Sequence, residues 1–468
     1  MLDQQGTAAA PMPEPLRDED GVIREDYVAR VVDAVRRKDS ESLRTLVGAL
    51  HEADAGALIE ALEPDMRPQL IELMGRDFDF SALTEVDDSV REEILDELEP
   101  ETVAEGVREL DSDDAVYILE DLPREDQEEI LEQLPATERI ALEQSLLYPE
   151  NSAGRRMQTD FIAVPPDWSV GQTIDHLRET DDLPERFYEI YIVDAAGKFL
   201  GAVPLDRIMR SKRPVRIADL MDPDRRRVRA TQDQEDVARL FERYNLVAAP
   251  VVADGDRLVG VITFDDVVDV LQEEAEEDIK ALGGITRDEE LSDSVWTIVR
   301  SRFPWLFANL MTALISAWVI RQFSGSIEKM VALAVLMPIV ASMGGNAGTQ
   351  TMTVAVRALA TRDLGDANSW RVVRREFLVG VLNGLGFAII MGAIAVAWFQ
   401  VTELGIVLGL AMICVLCAAA LGGIIIPIGL IRMGADPAIA SGPFVTTVTD
   451  VVAFASFLGI ATMWFGLR

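Results

Sequence analysis

One carboxylate stands inside a long apolar stretch of the sequence. Asp450 lies in PFVTTVTDVVAFASFLGIA beside Thr446, Thr447 and Thr449, whereas the other acidic residues after residue 300 lie in connections or at the ends of apolar segments. A charge inside a bilayer is costly, so it usually faces a wet cavity or a partner. The pattern favours an ion path, with burial against an arginine or a helix end as the alternative.

A polar segment, MGGNAGTQ at 343–350, interrupts another apolar stretch shortly after Pro338. Its small residues allow helices to approach closely, and Pro with Gly can free backbone carbonyl groups. Amide and carbonyl oxygens beside a carboxylate suit a hard, hydrated cation. We interpret the segment as a pore wall, with close helix packing as the alternative.

An acidic helix is predicted just before the membrane, over DDVVDVLQEEAEEDIKALGG from Asp265. Its polar face carries Asp266, Asp269, Glu273, Glu274, Glu277 and Asp278. Like charges at this density oppose helix formation, and a divalent cation would reverse that effect. A solvated acidic helix is the alternative.

Five apolar segments must position these groups, because each reaches the roughly 20 residues that cross a bilayer as a helix. The predicted spans are about 304–323, 329–356, 377–399, 404–431 and 443–466. Arginines concentrate before the first span and after the second and fourth, so the positive-inside rule places the N-terminal body in the cytoplasm and the C-terminus outside.

Charge divides the chain in the same way. The 468 residues carry a net charge of -37, of which residues 1–300 contribute -40 and residues 301–468 contribute +3. Such an acidic body excludes nucleic acid as an expected partner. We also expect no enzyme, because the sequence offers no nucleophile–base set or phosphate loop. Cys414 and Cys417 lie in an apolar segment, where packing is a commoner role than redox chemistry.

The sequence of the predicted cytoplasmic body indicates two kinds of structure. Residues 23–150 read as short amphipathic helices punctuated by proline, as in a superhelical stack. Within 157–271, YIVDAAGKFLGAVPLDRIM matches PVVADGDRLVGVITFDDVV, with Gly201 over Gly260. Each copy reads as helix, strand, glycine turn, strand and helix, which resembles a tandem CBS pair.

The predicted fold class is therefore a multidomain membrane protein. Its parts are a disordered N-terminus (1–22), an α-helical superhelical N domain (23–152), an α/β tandem CBS pair (153–272, with copies at 157–217 and 218–272), a linking or plug helix with a pre-membrane segment (265–300) and a five-helix transmembrane domain (301–468).

The whole order resembles the MgtE family of magnesium channels or transporters over roughly residues 25–466. The most specific motifs are PIVASMGGNAGTQTMTVAVRALATRDL and DPAIASGPFVTTVTD. The resemblance implies a homodimer in the membrane lipid with an ion path on its two-fold axis. It implies that the pore residues are Asp450, Asn346, Gly345 and Thr446.

The resemblance also implies regulation by cytosolic Mg2+, bound among the N domain, the CBS pair and the linking helix. The sensing ligands would be Asp266, Asp269, Glu274, Glu277 and Asp278 on the linking helix, Asp233 and Glu235 in the second CBS copy, Asp436 before the last span, and Asp111 and Asp114 in the N domain. Two positions depart from the family pattern: Asn245 replaces an expected acid, and Gly442 precedes the last span where Asn can occur.

The sequence thus predicts a Mg2+ channel of the cytoplasmic membrane, closed by cytosolic Mg2+, with ATP as a possible ligand of the CBS pair. The alternatives are a Na+- or H+-coupled carrier, broader transport of Co2+, Ni2+ or Mn2+, and a membrane-anchored ligand sensor. His51 and His176 are isolated and are interpreted as surface or packing residues, which argues against a dedicated soft-metal site.

Overall fold

The computed structural model describes residues 15–467, except for residues 121, 181–182, 185, 286–288, 290–293, 361–363, 365–368 and 435–436. The chain divides into two compact units, Met1–Glu274 and Ala275–Arg468. A single helix, Phe264–Leu282, contains the point at which the first unit ends and the second begins.

Short helices make up the N-terminal part of the first unit. They are α1 (Glu25–Arg37), α2 (Ser40–Leu46), α3 (Glu52–Glu60), α4 (Arg67–Met74), α5 (Asp88–Glu97), α6 (Pro100–Val107), α7 (Ser112–Glu120), α8 (Arg124–Gln133) and α9 (Ala136–Leu146). Short 3-10 helices lie at Pro64–Met66, Gly75–Asp77 and Phe80–Leu83. Prolines begin several of these elements, because their fixed φ suits the first helical turn. The predicted apolar spacing is realised as one continuous core that includes Leu43, Leu58, Leu70, Ile94 and Leu119.

The start of the described chain corrects the prediction of disorder for residues 1–22. Leu16 is buried in the helical core. The Nε of Arg17 donates to Oδ1 of Asp54 at 2.7 Å. Residues 15–22 are therefore ordered, since one apolar side chain and one ion pair anchor them, and residues 1–14 lie outside the described part of the chain.

Two similar α/β halves follow. The first contains β1 (Ala163–Val164), α10 (Val170–Glu179), β2 (Glu189–Val193), β3 (Phe199–Pro204) and α11 (Leu205–Arg210). The second contains β4 (Val228–Arg229), α12 (Gln234–Tyr244), β5 (Ala248–Val252), β6 (Leu258–Thr263) and α13 (Phe264–Leu282). The 3-10 helices Ile217–Asp219 and Asp254–Asp256 lie in the connections. In each half the first strand pairs parallel with the second and the second pairs antiparallel with the third.

The repeat that aligned the two sequence copies is also a structural repeat. Gly201 pairs with Ile192 and Gly260 pairs with Val251, and each pair is followed by a register shift in its sheet. A Cβ on Gly201 would lie 2.6 Å from the carbonyl oxygen of Asp222, and one on Gly260 would lie 2.7 Å from that of Gln158. Both glycines are required by the close approach of another backbone segment.

The second unit contains the apolar helices. They are α14 (Val295–Arg321), the short α15 (Ser324–Lys329), α16 (Val331–Ala360), α17 (Ser369–Phe399), α18 (Thr402–Arg432) and α19 (Pro437–Trp464). All of these except α15 are long and apolar enough to cross a membrane, which confirms the five spans predicted from the sequence. The central helix is α18, whose residues Val407, Leu408, Ala411 and Val415 are fully buried.

Two boundaries differ from the predicted ones. α14 begins at Val295, before the expected start of the first span, and contains Pro304 within its length. α19 begins at Pro437, so Gly442 lies inside this helix rather than before it. In both cases the helix extends through polar residues outside the hydrophobic segment that hydropathy detects.

Candidate functional site

Carboxylates from two helices meet inside the first unit. Asp113 and Asp114 lie in the first turn of α7, and Asp265 and Asp266 lie in the first turn of α13. Acidic residues are favoured at these positions because the N-terminus of a helix carries a partial positive charge. We call Asp111, Asp113, Asp114, Asp266 and Asp269 the acidic cluster.

The innermost pair of the acidic cluster is Asp113 and Asp266. Asp113 is only 8% exposed, and the two carboxyl groups hydrogen-bond to each other. Burial, followed by the neighbouring Asp266, raises the pKa of Asp113 well above its usual range. Burial also raises the pKa of Asp266. The pair therefore holds a proton at pH values where exposed aspartates have lost theirs.

The outer carboxylates are perturbed in the same direction. Burial, and then the charge of Asp266, raises the pKa of Asp114 to about 7. Burial, and then the charges of Glu85 and Asp266, raises the pKa of Asp269 to about 6. Negative charge is thus concentrated where α7 and α13 meet, and it is incompletely neutralised by the protein.

Thr263 orients the carboxylate of Asp266. Its backbone N–H and its hydroxyl each donate to Oδ2 of Asp266 at 2.9 Å. On Asp113, by contrast, Oδ1 is buried and has no hydrogen-bond partner among the described residues. A buried oxygen without a partner costs free energy, so this atom is available to a cation or a water molecule.

Sequence reasoning missed one member of the acidic cluster, Asp113, and two carboxylates beside it, Glu52 and Glu85. Asp113 could have been found, because it shares the buried face of α7 with Val116 three residues later. Glu52 and Glu85 had no local signal: Glu52 raises the pKa of Asp114 and Glu85 raises that of Asp269. They reach the acidic cluster through the packing of α3, where a Cβ on Gly56 would lie 2.7 Å from Cβ of Glu85.

The predicted ligands of the second α/β half have other partners. Asp233 caps α12 by accepting from the backbone N–H of Glu235 at 3.0 Å, and Glu235 pairs with Arg239. Glu274 accepts from Nε2 of Gln234 at 2.9 Å. Asn245 ends α12 with a φ of 49°, a left-handed conformation that Asn tolerates well. The left-handed backbone at the end of α12 accounts for Asn245 at a position where an acidic residue was expected.

The remaining sensing candidates lie beyond this first unit. Glu277 and Asp278 follow further along α13, in the second unit. Asp436 is outside the described residues.

The end of α13 contacts two membrane helices within the second unit. Ala281 is buried in a cluster with Met352 and Val356 of α16 and with Ala438 and Val445 of α19. The helix ends at Leu282, before Gly283 and Gly284, and Gly284 has a φ of 71°. The predicted linking helix therefore packs at its C-terminal end against apolar side chains of α16 and α19.

The predicted pore residues lie on the same two helices. Asn346 and Gly345 are on α16, and Thr446 and Asp450 are on α19. Asn346 and Thr446 are exposed, and Asp450 is partly exposed. Exposed polar positions recur along α16 at three- and four-residue spacing, which places Ser342, Asn346, Thr349, Gln350 and Thr353 on one face.

Close helix packing, the alternative interpretation of the glycine-rich segment, applies to two of its glycines. A Cβ on Gly344 would lie 2.6 Å from Cγ2 of Val415, and one on Gly348 would lie 2.9 Å from Cγ1 of Val445. Around Gly345 no heavy atom of the described chain lies within 4 Å of such a Cβ. The segment therefore has a packing side and an open side.

Pro338 and the glycines do not interrupt α16. The helix runs without interruption from Val331 to Ala360. Its backbone carbonyls along 343–350 remain within helical geometry, because flanking turns and tight packing on α18 and α19 support it. The oxygen atoms that this segment can present are therefore those of side chains such as Asn346.

Across the described residues, no group of three or more His, Cys, Asp or Glu side chains is already arranged to hold a metal ion. His51 instead accepts from the backbone N–H of Ala53 at the start of α3. His176 stacks edge-on against Trp168, with ring centroids 5.3 Å apart. Both histidines have the surface or packing roles expected for them.

Comparison with protein families and with known proteins gives consistent matches. Residues 50–151 match the MgtE intracellular N domain, residues 153–213 and 217–273 match the CBS domain, and residues 337–460 match the model described as MgtE, divalent cation transporter. These matches confirm the predicted combination of a helical N domain, a CBS pair and membrane helices.

Relatives with similarity over most of their length carry the name magnesium transporter MgtE. The protein of Enterococcus faecalis is 34% identical over 447 residues, covering 95% of this chain and 98% of that one. The protein of Thermus thermophilus is 35% identical over 332 residues, or 69% and 72% of the two chains. That of Bacillus subtilis is 32% identical over 327 residues, or 70% and 72%.

Similar solved structures cover the cytoplasmic half. The soluble part of a magnesium transporter is 26% identical with a TM-score of 0.49, over 54% of this chain and 99% of that one. The cytosolic domain of the Mg2+ channel MgtE in complex with ATP is 30% identical with a TM-score of 0.48, over 52% and 99%. From the relatives and the domain matches together, we conclude that the chain belongs to the MgtE family.

Proposed function

We propose that the chain is a homodimeric Mg2+ channel of the cytoplasmic membrane, which takes up Mg2+ and is closed by cytosolic Mg2+ at the acidic cluster. Support comes from the relatives, which are named magnesium transporters. It also comes from α13, which carries Asp266 and Asp269 of the acidic cluster and packs through Ala281 on the helices of the predicted pore residues.

The observation that carries the gating proposal is the position of α13. Its first turns supply Asp266 and Asp269 to the acidic cluster. Its last turn packs on α16 and α19 through Ala281, and these are the helices of Asn346 and Asp450. The helix α13 thus carries members of the acidic cluster near its start and packs on the proposed pore helices near its end, and we propose that it couples the two sites.

The chemistry of the proposed path suits Mg2+. This ion sheds its water reluctantly and prefers oxygen ligands. Each chain offers one carboxylate, Asp450, with neutral oxygens from Thr446 and Asn346 on exposed helix faces. In a homodimer two such carboxylates would face one another across the axis, which attracts a hydrated cation without binding it too tightly to leave.

The acidic cluster has the donor set expected of a sensing site. Its ligands are carboxylate oxygens, and Oδ1 of Asp113 is buried without a partner in the described part of the chain. A bound divalent cation would supply the positive charge that these residues lack. Without it, the carboxylates of α7 and α13 repel each other, and α13 is expected to separate from α7.

Three other functions are distinguished by the same kind of flux measurement. A Na+- or H+-coupled carrier predicts that flux stops when monovalent gradients are removed. Broader divalent transport predicts that Co2+, Ni2+ or Mn2+ pass as readily as Mg2+. A membrane-anchored sensor predicts no flux at all by the purified protein.

Single-channel recording with cytosolic Mg2+ varied is the decisive experiment. We expect open probability to fall as Mg2+ rises on the cytoplasmic side, with no requirement for Na+ or a proton gradient. Conduction that is indifferent to cytosolic Mg2+ would reject the gating proposal while leaving the transport proposal intact. Absence of conduction would reject both.

The assembly and orientation need separate measurements. Light scattering of the purified protein should give the mass of two chains. Protease accessibility of a C-terminal tag in intact cells should place the C-terminus outside, as the distribution of arginines predicts. ATP at the CBS pair remains a prediction from the resemblance, and titration calorimetry on the full-length protein tests it.

A further inference from the structure

Arg156 lies where three elements of the first unit meet. Its Nη2 atom lies 2.9 Å from Oε2 of Glu273 on α13. Its Nη1 atom lies 3.5 Å from Oε1 of Glu120 at the end of α7. Its Nε donates to Oε1 of Gln234 at the start of α12, at 3.2 Å. One guanidinium group therefore contacts the N domain, the second CBS copy and the linking helix.

The surroundings of Arg156 hold it in this position. Its side chain is 15% exposed. The ring of Tyr117 on α7 contacts two guanidinium groups, that of Arg156 at 5.1 Å and that of Arg91 at 4.3 Å. Gln234 is almost completely buried and also donates to Glu274. Such cation–π contacts and partly buried ion pairs are stronger than exposed ones.

The partner of Arg156 on the linking helix belongs to the same face as the acidic cluster. Asp266, Asp269 and Glu273 are spaced by three and four residues, which aligns them along one side of α13. Glu273 also contributes to the raised pKa of Asp269. Arg156 thus places a permanent positive charge one turn away from carboxylates that repel each other.

We propose that Arg156 is a counter-ion built into the protein, which sets how much divalent cation the acidic cluster needs to keep α13 on α7. Arg156 is a positioning residue and not a cation ligand. It holds Glu273 on α13 and Glu120 on α7 together at every cation concentration. The divalent cation therefore has to overcome only the remaining repulsion between the carboxylates of the two helices. The inference rests on the proposed closure by cytosolic Mg2+.

Hydrogen exchange of the full-length protein, followed by mass spectrometry, tests this inference. The measured quantity is the protection of residues 264–282 against hydrogen exchange, first in EDTA and then at increasing concentrations of MgCl2. For Arg156→Gln, we expect faster exchange in EDTA and a Mg2+ midpoint about tenfold higher than in the wild type, as loss of a partly buried pair predicts. Arg156→Lys should raise the Mg2+ midpoint by a smaller factor than Arg156→Gln, because lysine retains the positive charge but loses the forked geometry of the guanidinium group.

The matched control is Arg213→Gln, which removes an arginine that pairs with Asp175 in the first CBS copy. This variant should leave the midpoint of residues 264–282 unchanged. A double-mutant cycle with Glu273→Gln separates the pair from general destabilisation, because the two substitutions should be non-additive if they act through one contact.

Each outcome decides between the two proposals. An unchanged midpoint in Arg156→Gln, with normal Mg2+ protection in the wild type, overturns the role of Arg156 alone. Additive effects in the cycle overturn it as well. If Arg156→Gln does not fold, Arg156→Met, which keeps a long side chain against Tyr117 but removes the charge, takes its place, and an unchanged midpoint in that variant has the same meaning. No response to Mg2+ in the wild type rejects the sensing function, and the inference falls with it.

Discussion

The cytoplasmic body and the membrane helices use carboxylates in opposite ways. In the acidic cluster, Asp113, Asp114 and Asp266 are at least partly buried and Asp269 lies exposed beside them. The crowding means that these carboxylates raise the cost of ionising one another. In the last apolar helix, Asp450 follows Thr446, Thr447 and Thr449 and has no other carboxylate beside it in the sequence. Crowded carboxylates hold a cation and respond steeply to it, whereas a single one attracts a cation and releases it. We therefore propose that the number of neighbouring charges distinguishes the sensing site from the ion path.

The largest expected effect tests the single carboxylate. Asp450→Asn should lower Mg2+ flux into proteoliposomes by about a hundredfold, because it removes the charge that offsets the desolvation of the ion. A fluorescent Mg2+ indicator inside the vesicles measures the flux. Glu403→Gln, at the start of α18, is the control and should conduct as the wild type does. Equal loss in both variants would remove the distinction between an in-span and an end-of-span carboxylate.

The next effect tests the crowded carboxylates. Asp114→Asn combined with Asp269→Asn should raise the cytosolic Mg2+ needed for closure by about tenfold, because two anionic ligands are lost. Single-channel recording measures the midpoint. Glu125→Gln with Glu129→Gln removes the same charge from the exposed face of α8. A similar shift in this control would assign the effect to net charge and not to the acidic cluster.

A third effect separates the two sides of the glycine-rich segment. Gly348→Val should destabilise the membrane unit by about 1–3 kcal/mol, because added atoms would collide with Val445. Gly345→Val should be tolerated structurally, since the space around it is open. Thermal unfolding in detergent measures both variants. Equal destabilisation would show that Gly345 is also packed, in the homodimer or against lipid.

The smallest effect is a pH dependence without metal. Because the folded-state pKa values of Asp114 and Asp269, about 7 and about 6, exceed the ordinary value of 3.8, the folded protein binds more protons than the unfolded chain between these limits. Stability in EDTA should therefore fall as pH rises from about 4 to about 7 and then level off. Differential scanning fluorimetry should show a Tm several degrees higher at pH 5.5 than at pH 8. A flat profile would indicate that the carboxylates are more exposed than described.

Much of the fold was predictable because its signals are local. The length of the apolar segments predicted the spans, and the repeat around Gly201 and Gly260 predicted two α/β halves of the same topology. The continuity of α16 through its glycine-rich segment depends on packing that a local pattern does not show, because Gly344 and Gly348 lie tightly against α18 and α19.

The candidate sites were only partly predictable, for a related reason. The acidic face of α13 follows from its spacing, but Glu52 and Glu85 join the acidic cluster through tertiary packing that no short motif encodes. Asp233 and Glu235 were predicted as ligands, yet a helix cap and a neighbouring arginine already engage them. Residue type alone does not tell whether a carboxylate serves a helix end or an ion.

The paired glycines of the two α/β halves have a consequence for the ability of each half to fold by itself. Gly201 and Gly260 occupy the same register opposite their neighbouring strands, and each is covered by a methionine-containing segment, Met221–Asp222 in one half and Met157–Gln158 in the other. The glycine of the first half is thus covered by residues that follow that half in the sequence. The glycine of the second half is covered by residues that precede the first half. Each half thus depends on a segment outside itself to close this contact, so neither half is expected to fold alone when it is excised.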